Sequence, residues 1–367
     1  MTDRSADVPG LCAEELGWLM QGASVLGTGG GGSFSVGRSR IAALAGAGPR
    51  LVDVDALAPE ALGVTVGMLG GGLSNADVMR MEASVAGPLS LKAARAFERI
   101  LGRPLDFVYA SELGPQNTLE AVALGALLDL PVPDGDCAGR AVPELTQTTL
   151  DLCGISAAPF VLASFQGDVV VVAEAGPGNR AEQLSRAAAM ASGGLVCFLG
   201  FPLDGRRLRE ALIPGTLSRC MALGREIGPG RWPGATLARL GGGAVGFRGT
   251  VSGFQVGGGD GFFRGWLDLA GTGEFAGSRY RIGIQNEFMW AWRDGSLVHR
   301  CPDLICVVDS ATGLGKVTYG NGFEHSVEPG EDLTVLHLPA AEVWRSAAGR
   351  SRFPAPPALA EPGAARP

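Results

Sequence analysis

The feature that most limits what this chain can become is a change of pattern near residue 235. Upstream, apolar residues recur at helical spacing between short buried runs that end in glycines. Leu16, Leu19, Met20 and Ala23 fall on one face of a predicted helix over 12–24. Thr65–Leu69 reads as a short strand running into Gly70, Gly71 and Gly72. Helices are expected over 88–101, 117–128 and 179–192, with strands at 107–110 and 195–199 and a hairpin over 159–174. Residues 205–213 read as a further helix, and Pro214 begins another. Downstream, helical spacing gives way to segments of alternating polarity: 244–255, 262–269, 278–285, 287–292, 296–299 and 304–309. Asp294-Gly295 between apolar runs predicts a tight hairpin. Strands at that spacing close into a sandwich or barrel. The expected architecture is therefore an α/β N-terminal domain, a mixed sheet with flanking helices, over 1–234. A β-rich, barrel-like domain follows over 235–350, helical signals returning at 339–347, and the Pro/Ala-rich remainder, 351–367, is expected to be disordered.

Charge narrows the function. Only 18% of residues are charged and the net charge is −7, which argues against nucleic acid as a partner. No apolar run approaches the roughly 20 residues a membrane span requires, and the polar N-terminus lacks a signal-peptide pattern. Seven cysteines without a CxxC read as reduced thiols, so a cytoplasmic protein is expected. A compact cytoplasmic enzyme also suggests a homo-oligomer.

Three polar or glycine-rich strand ends stand out: 70–75, 111–117 and 134–144. In open α/β sheets, ligands bind where strands end. The last of these carries Asp134, Asp136, Arg140 and Glu144 within eleven residues. Neighbouring carboxylates either raise one another's pKa or share a cation; a salt-bridged crossover loop is the plainer reading. A fourth candidate is the turn Gly27-Thr-Gly29-Gly30-Gly31-Gly32. It matches GxGxxG but follows a helix rather than a strand, so it is no dinucleotide fingerprint. Its N–H groups can hold an anion or oxyanion; a glycine-capped helix end is the alternative.

These motifs, with Glu112-Leu-Gly-Pro-Gln116-Asn117, Gln285-Asn286-Glu287 and Pro302-Asp-Leu-Ile305, occur in the order found in the S-methyl thiohydantoin desulfurase family, which the chain resembles over roughly residues 11–345. The resemblance implies an α/β domain followed by a barrel-like one. It also implies chemistry on a five-membered cyclic ureide, in which water replaces a sulfur substituent to give the hydantoin and a thiol. A non-catalytic subunit of a hydantoinase- or oxoprolinase-like enzyme, or a related ring-forming or addition–elimination enzyme, is the alternative. For hydrolysis, Asp134, Asp136, Glu112 and Glu144 are the candidate acids and bases. Gly29, Gly30, Gly31 and Gly71 are candidate backbone donors. Gln116 and Asn117 can read a ureide edge, and Arg140 can hold a substrate carboxylate; Asn286 and Glu287 are further substrate-binding candidates, with polar barrel residues facing solvent as the alternative. Asn117 can equally cap the helix it begins. No cofactor is required. The three histidines lie far apart, which disfavours zinc; a divalent metal on Asp134 and Asp136 and a nucleophilic Cys137 remain further possibilities.

Overall fold

A computed structural model describes residues 10–44, 48–71, 73–228, 234–258, 262–320 and 322–357. The first half is built on a five-stranded mixed sheet. In chain order its strands are β1 (Leu62–Gly70), β2 (Phe107–Ala110), β3 (Phe160–Ser164), β4 (Val169–Val172) and β5 (Leu195–Asp204). Their spatial order is β2-β1-β5-β3-β4. β1 and β2 are parallel and the remaining pairs antiparallel. Both faces are covered, so β2 and β3 are buried throughout. Burial on two faces is what allows such strands to read as continuous apolar runs.

Six helices matter for the site: α1 (Ala13–Leu26), α2 (Phe34–Ala43), α3 (Asn75–Ala83), α4 (Leu89–Leu101), α5 (Asn117–Leu128) and α6 (Arg180–Ala191). α4 has the clearest amphipathic pattern, burying Leu89, Ala93, Ala94, Ala96 and Phe97 and ending on Gly102 in the left-handed conformation. α2 and α3 were not expected from periodicity. α2 is short and lacks an amphipathic pattern, and it is fixed by tertiary contacts. Arg40 on it is buried and pairs with Glu120 of α5 at 2.7 Å and Glu82 of α3 at 2.9 Å.

The second half forms a seven-stranded antiparallel half-barrel. Its strands are β6 (Ala244–Gly258), β7 (Phe263–Gly271), β8 (Arg279–Gln285), β9 (Glu287–Arg293), β10 (Ser296–Arg300), β11 (Leu304–Asp309) and β12 (Asp332–Leu338), in the order β10-β9-β8-β7-β6-β12-β11. β12 is the strand the sequence reading missed. It pairs with both β6 and β11, burying Leu333, Val335, Leu336 and Leu338. In place of the helix expected over 339–347 there is a short 3-10 turn, Glu342–Arg345, followed by one helical turn at Ala347–Arg350.

Part of the segment expected to be disordered is packed. Phe353 is 7% exposed and meets Trp344 edge-to-face with ring centroids 5.2 Å apart, because an aromatic ring left in water here would forfeit an available apolar partner. Residues 358–367 of that segment lie outside the described residues.

Candidate active site

The glycine turn joins α1 to α2 and packs against the half-barrel. Its glycines are dictated by close approach. A Cβ on Gly31, whose φ is +76°, would lie 2.3 Å from the Gly114 Cα, and one on Gly30 would lie 2.2 Å from Glu287 Oε1. The Gly31 carbonyl accepts from the N–H groups of Gln116 and Asn117, so the turn is bonded directly to the start of α5. The Phe288 N–H in turn donates to the Thr28 carbonyl, which fixes the start of β9 beside the same turn.

These contacts enclose a cleft with a cavity volume of about 150 Å³. Gly31–Ser33, the end of β1 through Gly71, residues 111–117, residues 142–145 and the β8–β9 turn all contribute to its wall. Glu112, Glu144, Gln116, Asn117, Asn286, Glu287, Gly31 and Gly71 of the expected set therefore line one hollow.

Their environments differ. Glu112 accepts from Asn117 Nδ2 at 2.7 Å and from the Val142 N–H at 2.8 Å. Burial outweighs those bonds and pushes its carboxyl from 4.5 up to about 7. Glu287 is 4% exposed and its Oε2 has no hydrogen-bond partner among the described residues. Burial, and then the charge of Glu112, hold its carboxyl well above the ordinary range. Gln116 is 3% exposed; its Oε1 accepts from the Ser33 N–H at 2.9 Å, while its Nε2 has no partner among the described residues. Asn117 is the first residue of α5 rather than its cap, and its Oδ1 accepts from the Met68 N–H. Asn286 adopts φ +57° in the β8–β9 turn and accepts from the Phe263 N–H through Oδ1. Glu144 accepts from Asn179 Nδ2 at 2.9 Å.

Five expected site residues are placed elsewhere. Asp134 accepts from the Ser218 N–H and Oγ at the start of the helix Thr216–Gly224. It supplies the cap that Gly215 cannot, and it borders a different surface hollow. Asp136 is fully buried and accepts from the N–H groups of Ala138 and Gly139, organising the turn that follows it. Burial raises its carboxyl to about 6, yet it does not reach the cleft. Arg140 is also fully buried. Its guanidinium donates to Thr28 Oγ1 and to the carbonyls of Ala141 and Phe288, so it is consumed inside the protein and is not turned to a ligand. Gly29 and Gly30 likewise do not line the cleft. Gly29 instead accepts from the Thr318 N–H. The two aspartates face different partners, and among the described residues no three His, Cys, Asp or Glu side chains cluster as metal ligands. Cys137 is buried away from the cleft, and burial together with Asp136 pushes its thiol up, the reverse of what a nucleophile needs.

The glycine N–H groups are mostly committed. Those of Gly30, Gly32 and Ser33 donate to Gly27 O, Tyr319 Oη and Gln116 Oε1, and that of Gly71 donates to Gly194 O. Donors aimed into the cleft therefore come chiefly from side chains. Tyr319, Glu182 and Arg186 are among the wall residues that the sequence reading missed. Tyr319 lies between Phe263 and Phe323, with centroids 5.5 and 5.2 Å away. Glu182 and Arg186 on α6 pair at 2.6 Å, and Arg186 also donates to the Pro143 carbonyl. Their i, i+4 spacing was visible, but nothing in it pointed to the cleft.

Comparison with known proteins now adds to the geometry. The sequence profile for the N-terminal domain of the S-Me-THD-like family matches residues 14–174, and that for its C-terminal domain matches residues 177–356. The chain belongs to the S-Me-THD-like family. Membership points to a thiohydantoin-related function. The crystal structure of a protein from Chromobacterium violaceum is similar, with a TM-score of 0.74 and 27% identity over 94% of this chain and 95% of that one. No curated protein matches the sequence.

Proposed function

We propose that the protein is an enzyme that hydrolyses a thiohydantoin-type ring, replacing a sulfur substituent on the ring carbon with oxygen. The observation that carries this reading is a pair of buried carboxyls in one cleft with different partners: Glu112 accepts from Asn117 Nδ2 and the Val142 N–H, whereas Glu287 Oε2 has no partner among the described residues. Burial pushes the Glu112 carboxyl up to about 7, and burial with the charge of Glu112 holds that of Glu287 well above the ordinary range. Two titrating groups whose environments push them apart divide into base and acid.

In this reading Glu112 takes a proton from the attacking water. Glu287 donates through its unpartnered Oε2 to the ring nitrogen whose C=N bond is being attacked. Gln116 Nε2, also unpartnered, is a donor for the oxygen that develops negative charge. The reading as a non-catalytic subunit would suit acids neutralised by Arg140, and Arg140 instead spends its donors on Thr28 and backbone carbonyls.

The test is incubation of the purified protein with S-methylated thiohydantoins and plain hydantoins, with and without chelator, following thiol release. Release is expected from the S-methylated compounds, with Glu112→Gln and Glu287→Gln each lowering kcat by roughly 10²–10⁴-fold. Asp134→Asn is expected to retain the wild-type rate. No thiol from any compound, or full activity in Glu112→Gln, rejects the reading.

A further inference from the structure

The reaction above calls for two proton deliveries, one to the ring nitrogen and one to the departing sulfur. Glu287 provides for the first. The cleft holds another hydroxyl with the right bonding. The Gly32 N–H donates to Tyr319 Oη at 3.0 Å, so the phenol oxygen is already used as an acceptor. No acceptor takes the hydroxyl's own hydrogen among the described residues, and the ring lines the cleft. The position is fixed from several sides. The neighbouring Thr318 donates its N–H to the Gly29 carbonyl and its hydroxyl to the Asn286 carbonyl, pinning the segment to the glycine turn and to the turn that carries Glu287. Phe263 and Phe323 flank the ring.

We propose that Tyr319 is a catalytic residue that protonates the leaving sulfur, a role that rests on the hydrolytic reading above. The bookkeeping of atoms is complete. Attack forms the C–O bond as Glu112 takes one water proton, and Glu287 protonates the ring nitrogen. As the carbonyl forms, the C–S bond breaks, its electron pair stays on sulfur, and Tyr319 Oη–H supplies the proton that makes the free thiol. The hydroxyl proton lost by the intermediate and the one held by Glu112 restore Tyr319 and Glu287. The sum is substrate plus water giving hydantoin plus thiol. Burial, then the nearby carboxyls of Glu287 and Glu112, push the phenol above its ordinary value, so it enters each cycle protonated.

Tyr319→Phe keeps the ring and its aromatic neighbours but removes the proton. The decisive readout is dependence on the leaving group. With an S-methyl substrate, kcat for Tyr319→Phe is expected to fall by about 10²-fold or more, with KM nearly unchanged. With an S-(4-nitrophenyl) substrate, whose thiolate departs without a proton, the variant is expected to stay within a few-fold of wild type. Equal losses on both substrates would assign Tyr319 to holding the Gly32 turn and overturn the proposal, and no loss on either would also overturn it. Should the variant fail to fold, the wild type decides: a rate that rises steeply as the leaving thiol becomes more acidic overturns protonation by any residue. A wild type that releases no thiol from any substrate removes the hydrolytic reading and this one together, whereas the two patterns in the variant sink only this one.

Discussion

On the proposed reading, Glu112 couples catalysis to stability. Its folded-state value, about 7, lies above the ordinary 4.5 because burial disfavours the charge more than the Asn117 and Val142 donors favour it. The folded protein thus binds this proton more tightly than the unfolded chain does. The resulting stabilisation is fully present below about 4.5 and is lost as pH rises through about 7. A difference of that size corresponds to about 3 kcal/mol. Urea unfolding at several pH values is expected to show stability falling between pH 4.5 and 7 more steeply in wild type than in Glu112→Gln. Activity runs the opposite way, since the base must be ionised. kcat/KM for thiol release is expected to decline below about pH 7, and the small residual activity of Glu112→Gln is expected to lack that limb. A wild-type profile flat from pH 5 to 8 would remove Glu112 from the role of base. The residue-scale lesson from the sequence is mixed. Glu112 was readable as a candidate acid or base from its polar strand end, and Glu287 only as a substrate-binding candidate in the motif Gln285-Asn286-Glu287. Asp134 and Asp136 looked more promising because they are close in sequence. Spacing of i, i+2 would put both on one side of an extended segment, but Asp134 sits at a bend between two short strands, and the two carboxylates serve different backbones.

At the scale of elements, the same acidic segment acts as a fastener. Leu51–Val52 pairs in parallel with Val132–Pro133, and Gly135–Asp136 pairs with Ile213–Pro214. Between these two short ladders, Asp134 caps the helix Thr216–Gly224, whose own N-cap position is occupied by Gly215 with no side chain to offer. Losing a cap costs about 1 kcal/mol. Asp134→Ala is therefore expected to lower stability by about that amount in chemical denaturation while leaving kcat within a few-fold of wild type. A loss of activity without loss of stability would return Asp134 to the catalytic list. Elements with strong periodicity, such as α4 and the strands 279–285 and 287–293, were legible because their apolar spacing matches a single geometry. α2 was not, since its apolar residues fall without helical spacing and its place comes from the Arg40 pairs with α3 and α5. β12 was not, since the turn-rich stretch before it gives no hairpin signal.

Over the whole molecule, the cleft exists because the two halves of the chain are bolted together behind it. Arg140 is the central bolt. From the loop after Asp136 it reaches Thr28 in the glycine turn and the Phe288 carbonyl in β9, bringing together three points separated by more than a hundred residues. No ion pair involving Arg140 is formed among the described residues; its buried charge is supported by hydroxyl and carbonyl oxygens and by the Met289 sulfur. Such an arrangement is intolerant of partial removal, because each abandoned buried acceptor costs about 1–3 kcal/mol. Trp344 adds a second fastening through its Nε1 bond to the Ala138 carbonyl at 2.8 Å. No local pattern could reveal either link, since the charged residues near Arg140 in sequence are acids and it reads as their counter-ion or as a clamp for a substrate carboxylate. Its position behind Glu287 also lets it favour the ionised form of that carboxyl, against the burial that raises it. Arg140→Met, which fills similar space without the donors, is expected to destabilise the protein by about 3 kcal/mol or more. Where the variant remains folded at low temperature, its thiol-release rate is expected to fall in kcat with little change in KM, because Glu287 loses the anchor at Phe288 that fixes its place in the cleft. An Arg140→Met protein of unchanged stability would show that the halves are held by apolar packing instead.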